Sequence, residues 1–406
     1  MDMRTQKLGH MLHKTFTELL ALLLTAVVAI GTTGCTGTAG SSPVSTGAAA
    51  NTETAANMGN TGSTGSTGNT EVAPEITDSG ETSEGLNKYT ITYLDVFDTV
   101  TTLTGWTKDE AAFAAEAGEI HDELLNYHKL YDIYNVYDGM VNLKQVNDAA
   151  GGTPVAVGSE IMDLLAWGQQ VYTLTGGAVN IAMGAVLTIW HEYREAGIAD
   201  PSRAELPPMD ELKEASAHTD ISKMQLDTQA GTVTLTDAKM KLDVGALAKG
   251  YATEKVCEAA RARGWTHLLV NVGGNVEAVG DKPGGIPWAV GVQNPDNVDD
   301  YLKVVNDTDL SVVTSGNYQR YYEVNGVRYH HIIDPKTLMP SEYWDSVTII
   351  CADSSLADAL STALFLMDQE SGQKLLDSAG KAAEAMWIKD GTITYSSGFA
   401  AYLKDT

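Results

Sequence analysis

Asp243 and Lys249 lie on either side of Gly245 at a predicted strand-to-helix corner. The alternating residues 232–242 predict a β-hairpin that leads into this corner, and residues 252–263 predict an amphipathic helix that leaves it. The start of a helix has unpaired backbone N–H groups, and its dipole favours anions. A lysine and a carboxylate at such a position indicate a phosphate ligand together with a cation that balances it. The alternative is a tight turn with a solvated lysine.

Asp358 and Thr362 form a second polar pair, on a helix predicted over residues 354–365 with Ser354 or Ser355 as its N-cap. Because they are one helical turn apart, their side chains share one helix face. The rest of that face is small or apolar, and a buried carboxylate without a partner is costly. The pair therefore indicates that a partner completes the site. The alternative is that Thr362 bonds the carbonyl of Asp358 while Asp358 caps a neighbouring loop.

His330 and His331 lie on the return strand of a predicted hairpin whose turn is Asn325-Gly326. Side chains alternate along a regular strand, so the two rings should face opposite sides and cannot both bind one ion. We expect one histidine to be exposed, and the other to lie in the core or to point into a cleft.

The remaining patterns predict the helices and strands that must position these residues. Gly273 and Gly274 interrupt a strand, but the chain has no Gly-x-Gly-x-x-Gly and no helix is predicted after them, which argues against a Rossmann dinucleotide motif. The other predicted elements are a strand pair over 89–103, helices over 108–131, 159–175 and 207–217, with Ser159 as an N-cap, and a strand over 266–272.

The length and charge of the chain limit its function classes. It has 406 residues and a net charge of −27. This length allows one large domain or two ordinary ones, with enough chain to bury a core. The acidic charge argues against nucleic-acid binding, which needs a basic face. Cys257 and Cys351 lie in predicted apolar positions, so we expect buried free thiols rather than a disulfide.

The N-terminus carries a predicted export signal. Residues 1–34 combine basic residues with an apolar core of signal-peptide length that ends in Thr-Thr-Gly-Cys, which predicts a lipid-modified Cys35. Residues 35–87 are rich in Gly, Ser and Thr and predict a disordered tether, followed by a folded domain over 88–406. We therefore expect a lipid anchor in the cell membrane with the domain on the extracytoplasmic face, and simple secretion or an uncleaved anchor is the alternative.

Six motifs follow one another through the folded region. They are Asp132-x-Tyr134-Asn135 with the later Asn147, Asp243-x-Gly245-x-x-Ala248-Lys249-Gly250-Tyr251, Val272-Gly273-Gly274-Asn275, Thr314-Ser315-Gly316-x-Tyr318, His331-Ile332-Ile333-Asp334-Pro335-x-Thr337, and Ala357-Asp358-Ala359-x-x-Thr362-Ala363. Their order and separations, over about residues 89–404, resemble those of the FAD:protein FMN transferases, the ApbE-type flavin transferases.

The resemblance implies an α+β fold in which two lobes of mixed or antiparallel sheet, with flanking helices, enclose a flavin-nucleotide cleft. It implies FAD as the substrate and Mg²⁺ as the metal, a hard cation that takes oxygen donors. Asp358 and Thr362 match the family's side-chain metal ligands, and Ala246 matches a ligand that uses its carbonyl. The positions that match flavin-nucleotide contacts are Phe97, Tyr134, Asn135, Val179, Asn180, Asp243, Lys249 and Ile332.

The implied reaction transfers FMN from FAD to a threonine hydroxyl of another protein and releases AMP. Lys249, Asp358 and His331 match its catalytic positions, with His331 as the candidate base or as an orienting group. The chain lacks a Ser/Thr-Gly-Ala-Thr acceptor motif, so we expect the acceptor to be a partner protein. The alternatives are a metal-dependent FAD pyrophosphatase and a lipoprotein that binds flavin without transferring it.

Overall fold

The computed structural model describes residues 74–380 and 383–404, which adopt an α+β architecture built on antiparallel sheets. The α+β prediction is confirmed. The predicted signal peptide, the predicted lipid site at Cys35 and most of the predicted tether lie outside the described residues. Across the described residues, no helix combines the length and the apolar character that crossing a bilayer requires.

The chain order of elements alternates groups of strands with groups of helices. The strands are β1 (Thr77–Ser83), β2 (Leu86–Val96), β3 (Thr99–Thr107), β4 (Val155–Ala156), β5 (Met224–Asp227), β6 (Thr232–Leu235), β7 (His267–Val272), β8 (Asn275–Gly280), β9 (Trp288–Asn294), β10 (Asn297–Asp307), β11 (Ser311–Gly316), β12 (Tyr321–Val324), β13 (Val327–His330), β14 (Ser346–Cys351), β15 (Glu384–Lys389) and β16 (Thr392–Tyr395). The helices are α1 (Glu110–Tyr131), α2 (Leu143–Asp148), α3 (Ser159–Leu174), α4 (Gly184–Ala199), α5 (Met209–Ser216), α6 (Ala248–Ala262), α7 (Ser354–Phe365) and α8 (Gln369–Ser378).

Within the described residues, nine strands form one sheet in the order β1-β2-β3-β7-β8-β11-β14-β15-β16. Every neighbouring pair in this sheet is antiparallel. Side chains alternate between its two faces, as strand geometry requires. Leu269 packs with Trp288 under the β9–β10 hairpin, whereas the next residue, Val270, packs with Phe113 of α1. The sheet is therefore covered by helices on one face and by a β-hairpin on the other.

Helix α7 lies on the helix-covered face and is buried along almost its whole length. It packs against β11, β14 and α6, and α6 packs in turn against α1. A helix that is apolar on nearly all sides requires such complete cover. The packing of α6 on α7 brings Lys249 of one polar pair to Asp358 of the other, although the two residues are more than a hundred positions apart in the sequence.

The predicted hairpin over residues 232–242 is wrong. Strand β6 pairs instead with β5, the strand before it, and with β4. Asp237 does begin a turn, since its side chain accepts a hydrogen bond from the Lys239 N–H at 2.9 Å. The chain then runs to Lys241, which forms a parallel bridge with Met183. Alternation identifies extended residues but does not specify the strand with which they pair.

The predicted tether boundary at residue 87 is also wrong. Strand β1 already pairs with β2, for example at Thr77 opposite Thr90 and at Ser83 opposite Leu86. Most residues of β1 are exposed, so the strand contributes little to the core. Its pairing uses backbone hydrogen bonds, which polar residues make as well as apolar ones, and composition therefore could not locate this boundary.

Three helix starts differ from the predictions. Ser159 is the first residue of α3 and its side chain makes no cap, because Gly158 occupies the N-cap position. The side chain of Asp353, and not that of Ser354 or Ser355, caps α7 by accepting from the Leu356 N–H. Helix α6 starts at Ala248 rather than at residue 252, which places Lys249 inside its first turn.

Two predictions about small features are confirmed. Asn325 and Gly326 both have positive φ, at 54° and 79°, which is the conformation of a two-residue hairpin turn between β12 and β13. Cys257 and Cys351 are free and buried.

Candidate active site

The Asp358 carboxylate lies where α6 meets α7. Its Oδ2 accepts a hydrogen bond from the Gly250 N–H at 2.8 Å, and its Oδ1 lies 3.9 Å from Lys249 Nζ. Gly250 belongs to the first turn of α6, where backbone N–H groups have no partner inside the helix. A Cβ at position 250 would lie 2.3 Å from the Asp358 Cβ, so the approach requires glycine. One member of each polar pair, Lys249 and Asp358, therefore lies at this junction.

Burial raises the pKa of Asp358, and the nearby Lys249 and the Gly250 N–H oppose that shift only in part. The charged carboxylate is thus incompletely compensated by the protein, and a bound cation would favour its ionised form. Thr362 follows one turn later on α7, and among the described residues nothing forms a hydrogen bond with its hydroxyl. The Asp358 carbonyl is instead bonded by the Ser361 hydroxyl at 2.9 Å, so the alternative role for Thr362 is not observed.

Ala246, two residues before the start of α6, offers a third oxygen, its backbone carbonyl. In the described part of the chain, no donor reaches its carbonyl, because Gly250, four residues later, gives its N–H to Asp358. A carboxylate, a hydroxyl and a carbonyl are the hard oxygen donors that suit Mg²⁺. Nowhere in residues 74–380 and 383–404 do three His, Cys, Asp or Glu side chains gather as a metal site, so a cation here would depend on mixed oxygen donors. The residues present fit a magnesium site.

Two long-range contacts fix the corner before α6. The Asn147 side chain brackets Leu242, donating to its carbonyl at 3.0 Å and accepting from its N–H at 2.7 Å. Asp243 then donates its backbone N–H to the Ile181 carbonyl at 2.8 Å. The Asp243 side chain accepts from the Gly245 N–H at 2.8 Å, and burial raises the pKa of this carboxyl. The Asn147 motif thus has a positioning role for the Asp243–Lys249 corner.

The tip of the β2–β3 hairpin is held by two basic side chains. Phe97 has a φ of 53°, a left-handed conformation that is uncommon for a bulky residue. Its N–H donates to His128 Nδ1 at 3.0 Å, and its carbonyl accepts from the Arg320 guanidinium at 3.4 Å. These bonds account for the strained conformation and connect the hairpin tip to the segment before β12.

The loop after α1 is organised by Asp132. Its carboxylate accepts from the backbone N–H groups of Tyr134 and Asn135, from the Asn135 amide and from the Tyr137 hydroxyl. The Asn135 side chain is therefore committed to closing the loop. The Tyr134 ring is 53% exposed and lies 5.0 Å from the His191 ring, in position to offer a stacking surface.

Three further predicted contact residues are largely committed to the protein. Val179 and Ile332 have buried side chains, 3% and 7% exposed. The Asn180 side chain donates to the Thr219 carbonyl and accepts from the Ala182 N–H, both at 2.9 Å. Whether these residues contact a nucleotide stays a prediction.

The expectation that one of the two histidines is exposed is wrong. His330 is 7% exposed, its Nε2 donates to the Ser341 carbonyl at 2.8 Å and its Nδ1 accepts from the Ile332 N–H at 3.2 Å. Strand β13 ends at His330, so strand alternation no longer governs His331. The chain bends there, and His331 is half-buried rather than exposed.

His331 is neutral and Arg320 fixes its tautomer. The Arg320 carbonyl accepts from the His331 backbone N–H at 3.0 Å and lies 3.2 Å from its ring Nδ1. A carbonyl can only accept, so the ring proton is on Nδ1 and Nε2 keeps its lone pair. Burial lowers the pKa of His331 well below its usual value, and positive charge on Arg320, Arg194 and Lys249 adds to the effect. A neutral ring with a free Nε2 can accept a proton.

Sequence reasoning missed Arg194 and Arg320. Both act electrostatically on Asp243, on Tyr134 and on His331, which places them at the same site. The available signal was composition. The chain has only 26 Lys and Arg residues against 53 Asp and Glu residues, so a basic residue beside a recognised motif is a candidate for a functional role. Arg320 follows Tyr318 closely and met that criterion, whereas Arg194, on α4, could be assigned only from the fold.

The sequence profile of the ApbE family matches residues 89–387. The chain belongs to the ApbE family. The match includes Lys249, Gly250 and Asp358, so the junction of α6 and α7 lies within the family region. The family resemblance predicted from the motifs is confirmed.

Named relatives and solved structures of the ApbE family support the same assignment. The FAD:protein FMN transferase of Treponema pallidum (strain Nichols) is 38% identical over 250 residues, covering 58% of this chain and 67% of that protein. The FAD:protein FMN transferase of Haemophilus influenzae is 28% identical over 310 residues, covering 73% and 87%. The crystal structure of the ApbE protein from Thermotoga maritima has a TM-score of 0.69 at 28% identity, covering 78% of this chain and 100% of that one. Apo flavinyl transferase ApbE from Pseudomonas stutzeri has a TM-score of 0.64 at 26% identity, covering 78% and 96%.

Proposed function

We propose that this chain transfers FMN from FAD to a threonine hydroxyl of a partner protein, releases AMP, and uses Mg²⁺ bound at Asp358. The relatives from T. pallidum and H. influenzae are named for FMN transfer from FAD to protein. The observation that carries the proposal is the contact of Asp358 with Gly250 and Lys249. It joins an incompletely compensated carboxylate, a lysine and a helix N-terminus, which together suit a metal-bound diphosphate.

Each residue of this junction has a distinct role in the proposal. Asp358, Thr362 and the Ala246 carbonyl hold the cation, and the Lys249 ammonium offsets charge on the diphosphate. Bound Mg²⁺ would act as a Lewis acid toward the diphosphate oxygens. Asp243, at the corner before α6, orients the nucleotide through hydrogen bonds. The close approach permitted by Gly250 keeps Asp358 and Lys249 in register.

His331 receives the proton of the attacking hydroxyl at Nε2. In the transfer, a bond forms between the threonine oxygen and the phosphorus of the FMN half, and the bond from that phosphorus to the AMP oxygen breaks. The threonine proton passes to His331. AMP is the leaving group, and its phosphate oxygen keeps the electron pair of the broken bond. A hydroxyl is a poor nucleophile without such help, and a neutral histidine is a suitable base near pH 7. The depressed pKa of His331 keeps the ring in the required form.

The proposal includes the location and the partner. A lipid on Cys35 would anchor the chain, and the tether that follows would let the domain reach acceptor proteins at the extracytoplasmic face. The acceptor would carry a Ser/Thr-Gly-Ala-Thr segment, whose small residues allow the threonine to enter a cleft.

The test uses the full chain in detergent with FAD, Mg²⁺ and an acceptor domain that carries such a segment. We expect flavin fluorescence on the acceptor after denaturing electrophoresis, a mass gain of one FMN, and one AMP released per label. An acceptor with that threonine changed to valine is the matched control and should stay unlabelled. Release of FMN and AMP without label would identify a pyrophosphatase, and FAD binding without AMP release would identify a flavin-binding protein. Either result would remove the proposed transfer.

A further inference from the structure

Arg320 connects the tip of the β2–β3 hairpin to the candidate base. Its guanidinium donates to the Phe97 carbonyl at 3.4 Å, while its own carbonyl holds the His331 ring at 3.2 Å. Its side chain is half-buried, and among the described residues no carboxylate lies within salt-bridge distance of it, while Asp98 and Asp243 act on it from further away. A partly buried guanidinium without a direct carboxylate partner is costly, which is a reason to look for an anionic ligand.

Arg194 reaches the same region from helix α4. That helix packs on β12, and a Cβ at Gly197 would lie 2.6 Å from the Tyr322 ring. Residues three apart share a helix face, so Arg194 lies on the face of α4 that meets the segment of Arg320 and Tyr322. The Arg194 guanidinium is 2.8 Å from His191 Nδ1, and the His191 ring is 5.0 Å from the Tyr134 ring.

The positive charges at this place repel one another. Burial lowers the pKa of Arg320, and the charge of Arg194 lowers it further. Arg194 has one carboxylate, Glu195, at 3.4 Å; at greater distances Asp98 acts on Arg320, and Asp243 acts on both arginines. A chain with a net charge of −27 has many carboxylates that could have neutralised this pair, yet its fold gathers the cations together. Such an arrangement is stabilised when an anion binds between the cations.

We propose that Arg194 and Arg320 bind the phosphate of the FMN half of FAD and hold it for attack. The inference deepens the proposed function and rests on it. The candidate base must lie beside the phosphorus that is attacked, and the backbone carbonyl of Arg320 is bonded to that base. Asp358 and Lys249 form a separate junction, which suits the other side of the diphosphate. Guanidinium groups suit this role because they donate two parallel hydrogen bonds to phosphate oxygens. Charge that develops on these oxygens during transfer would be stabilised by the same groups.

The test compares the affinities of the full chain, in detergent with Mg²⁺, for four probes: FAD, FMN, riboflavin and AMP. We expect Arg320→Gln and Arg194→Gln each to weaken FMN and FAD binding by about tenfold or more. Riboflavin lacks the phosphate and AMP carries the other one, so their affinities should stay within about twofold. Arg320→Lys and Arg194→Lys keep the charge but lose the paired hydrogen bonds, and they should lie between wild type and the glutamine variants.

Arg203→Gln is the matched control. Arg203 is exposed and lies just after α4, and its substitution removes the same charge as the test variants. It should leave all four affinities unchanged. Wild-type protein that binds FMN no more tightly than riboflavin would overturn the inference, as would equal losses for riboflavin and FMN in the arginine variants. A loss for AMP in place of FMN would also overturn it. No acceptor is present in these titrations, so a failure of the phosphate-binding prediction is distinguished from a failure of the proposed transfer, which only the labelling experiment measures.

Discussion

The Gly250 N–H donates a hydrogen bond of 2.8 Å to the Asp358 carboxylate, although the two residues are 108 positions apart in the chain. The bond satisfies one of the orphan donors at the start of α6, and it places a negative charge where the helix dipole is positive. It also leaves the Ala246 carbonyl without a partner among the described residues. One contact therefore fastens α6 to α7 and fixes Asp358, the carboxylate of the candidate metal site, at the start of α6.

Gly250→Ala should disrupt this junction. The new Cβ would lie 2.3 Å from the Asp358 Cβ and 2.5 Å from the Ser354 carbonyl, so the helices must separate. We expect a loss of about 1–3 kcal/mol in the free energy of unfolding, measured by denaturant titration, together with weaker Mg²⁺ binding. Gly118→Ala is the control, since this helical glycine has nothing within 4 Å of the new methyl group. It should be neutral or stabilising by up to about 1 kcal/mol, and equal effects at both positions would contradict the account.

Asp358→Asn should remove Mg²⁺-dependent transfer while retaining the fold. The amide has the same shape and can still accept from the Gly250 N–H, but it has no charge to hold the cation. We expect the transfer rate to fall by about 100-fold or more. Because burial raises the pKa of Asp358, loss of the charge should not lower the thermal unfolding midpoint. The exposed Glu370→Gln on α8 is a charge-matched control, and Mg²⁺ dependence preserved in Asp358→Asn would contradict the site.

Thr362→Val and Thr362→Ser separate the hydroxyl from the shape of the side chain. Valine matches threonine in shape without the hydroxyl, and serine keeps the hydroxyl. We expect valine to raise the Mg²⁺ concentration for half-maximal transfer by about tenfold, and serine to stay near wild type. Stability should change little because no hydrogen bond to this hydroxyl is present in the described residues. Equal Mg²⁺ requirements in the two variants would exclude Thr362 as a ligand.

His331 should make stability depend on pH below its ordinary pKa of about 6.5. Its pKa is lowered in the folded protein, chiefly by burial. Below about pH 6.5 the unfolded chain therefore binds a proton at this histidine while the folded protein does not. The free energy of unfolding should therefore decrease as the pH falls, by up to about 1.4 kcal/mol per pH unit for this group. The measurement is the difference between wild type and His331→Gln across pH 5 to 8. The two curves should be parallel above about pH 7 and converge or cross below it, and a constant difference would show that His331 is not held neutral.

Local patterns predicted most elements but few of their partners. The helix α1, the β2–β3 pair and the β12–β13 turn follow from period and turn chemistry, which depend on neighbouring residues. The hairpin prediction at residues 232–242 failed because strand pairing is decided by residues elsewhere in the chain. The exposed edge strand β1 was assigned to the tether from its composition, because its pairing with β2 is stabilised by backbone hydrogen bonds that any residue type can make.

The candidate site divides in the same way. Asp358, Thr362, Asp243 and Lys249 could be identified from residue type, spacing and motif order, since each pair lies within one short segment. Arg194 could not, because its proximity to Arg320 depends on the packing of α4 against β12. The neutral state of His331 also required the structure, because it depends on burial and on cations from three separate segments.

The amino-acid sequence alone determined the family, the order of the motifs and the types of side chain that the site contains, because these properties are written in short stretches of chain. Only the tertiary structure decided that the N–H of Gly250 meets the carboxylate of Asp358, and that Arg320 holds His331 in one tautomer. Distances and protonation states arise when distant segments exclude water together, and no single segment contains that information.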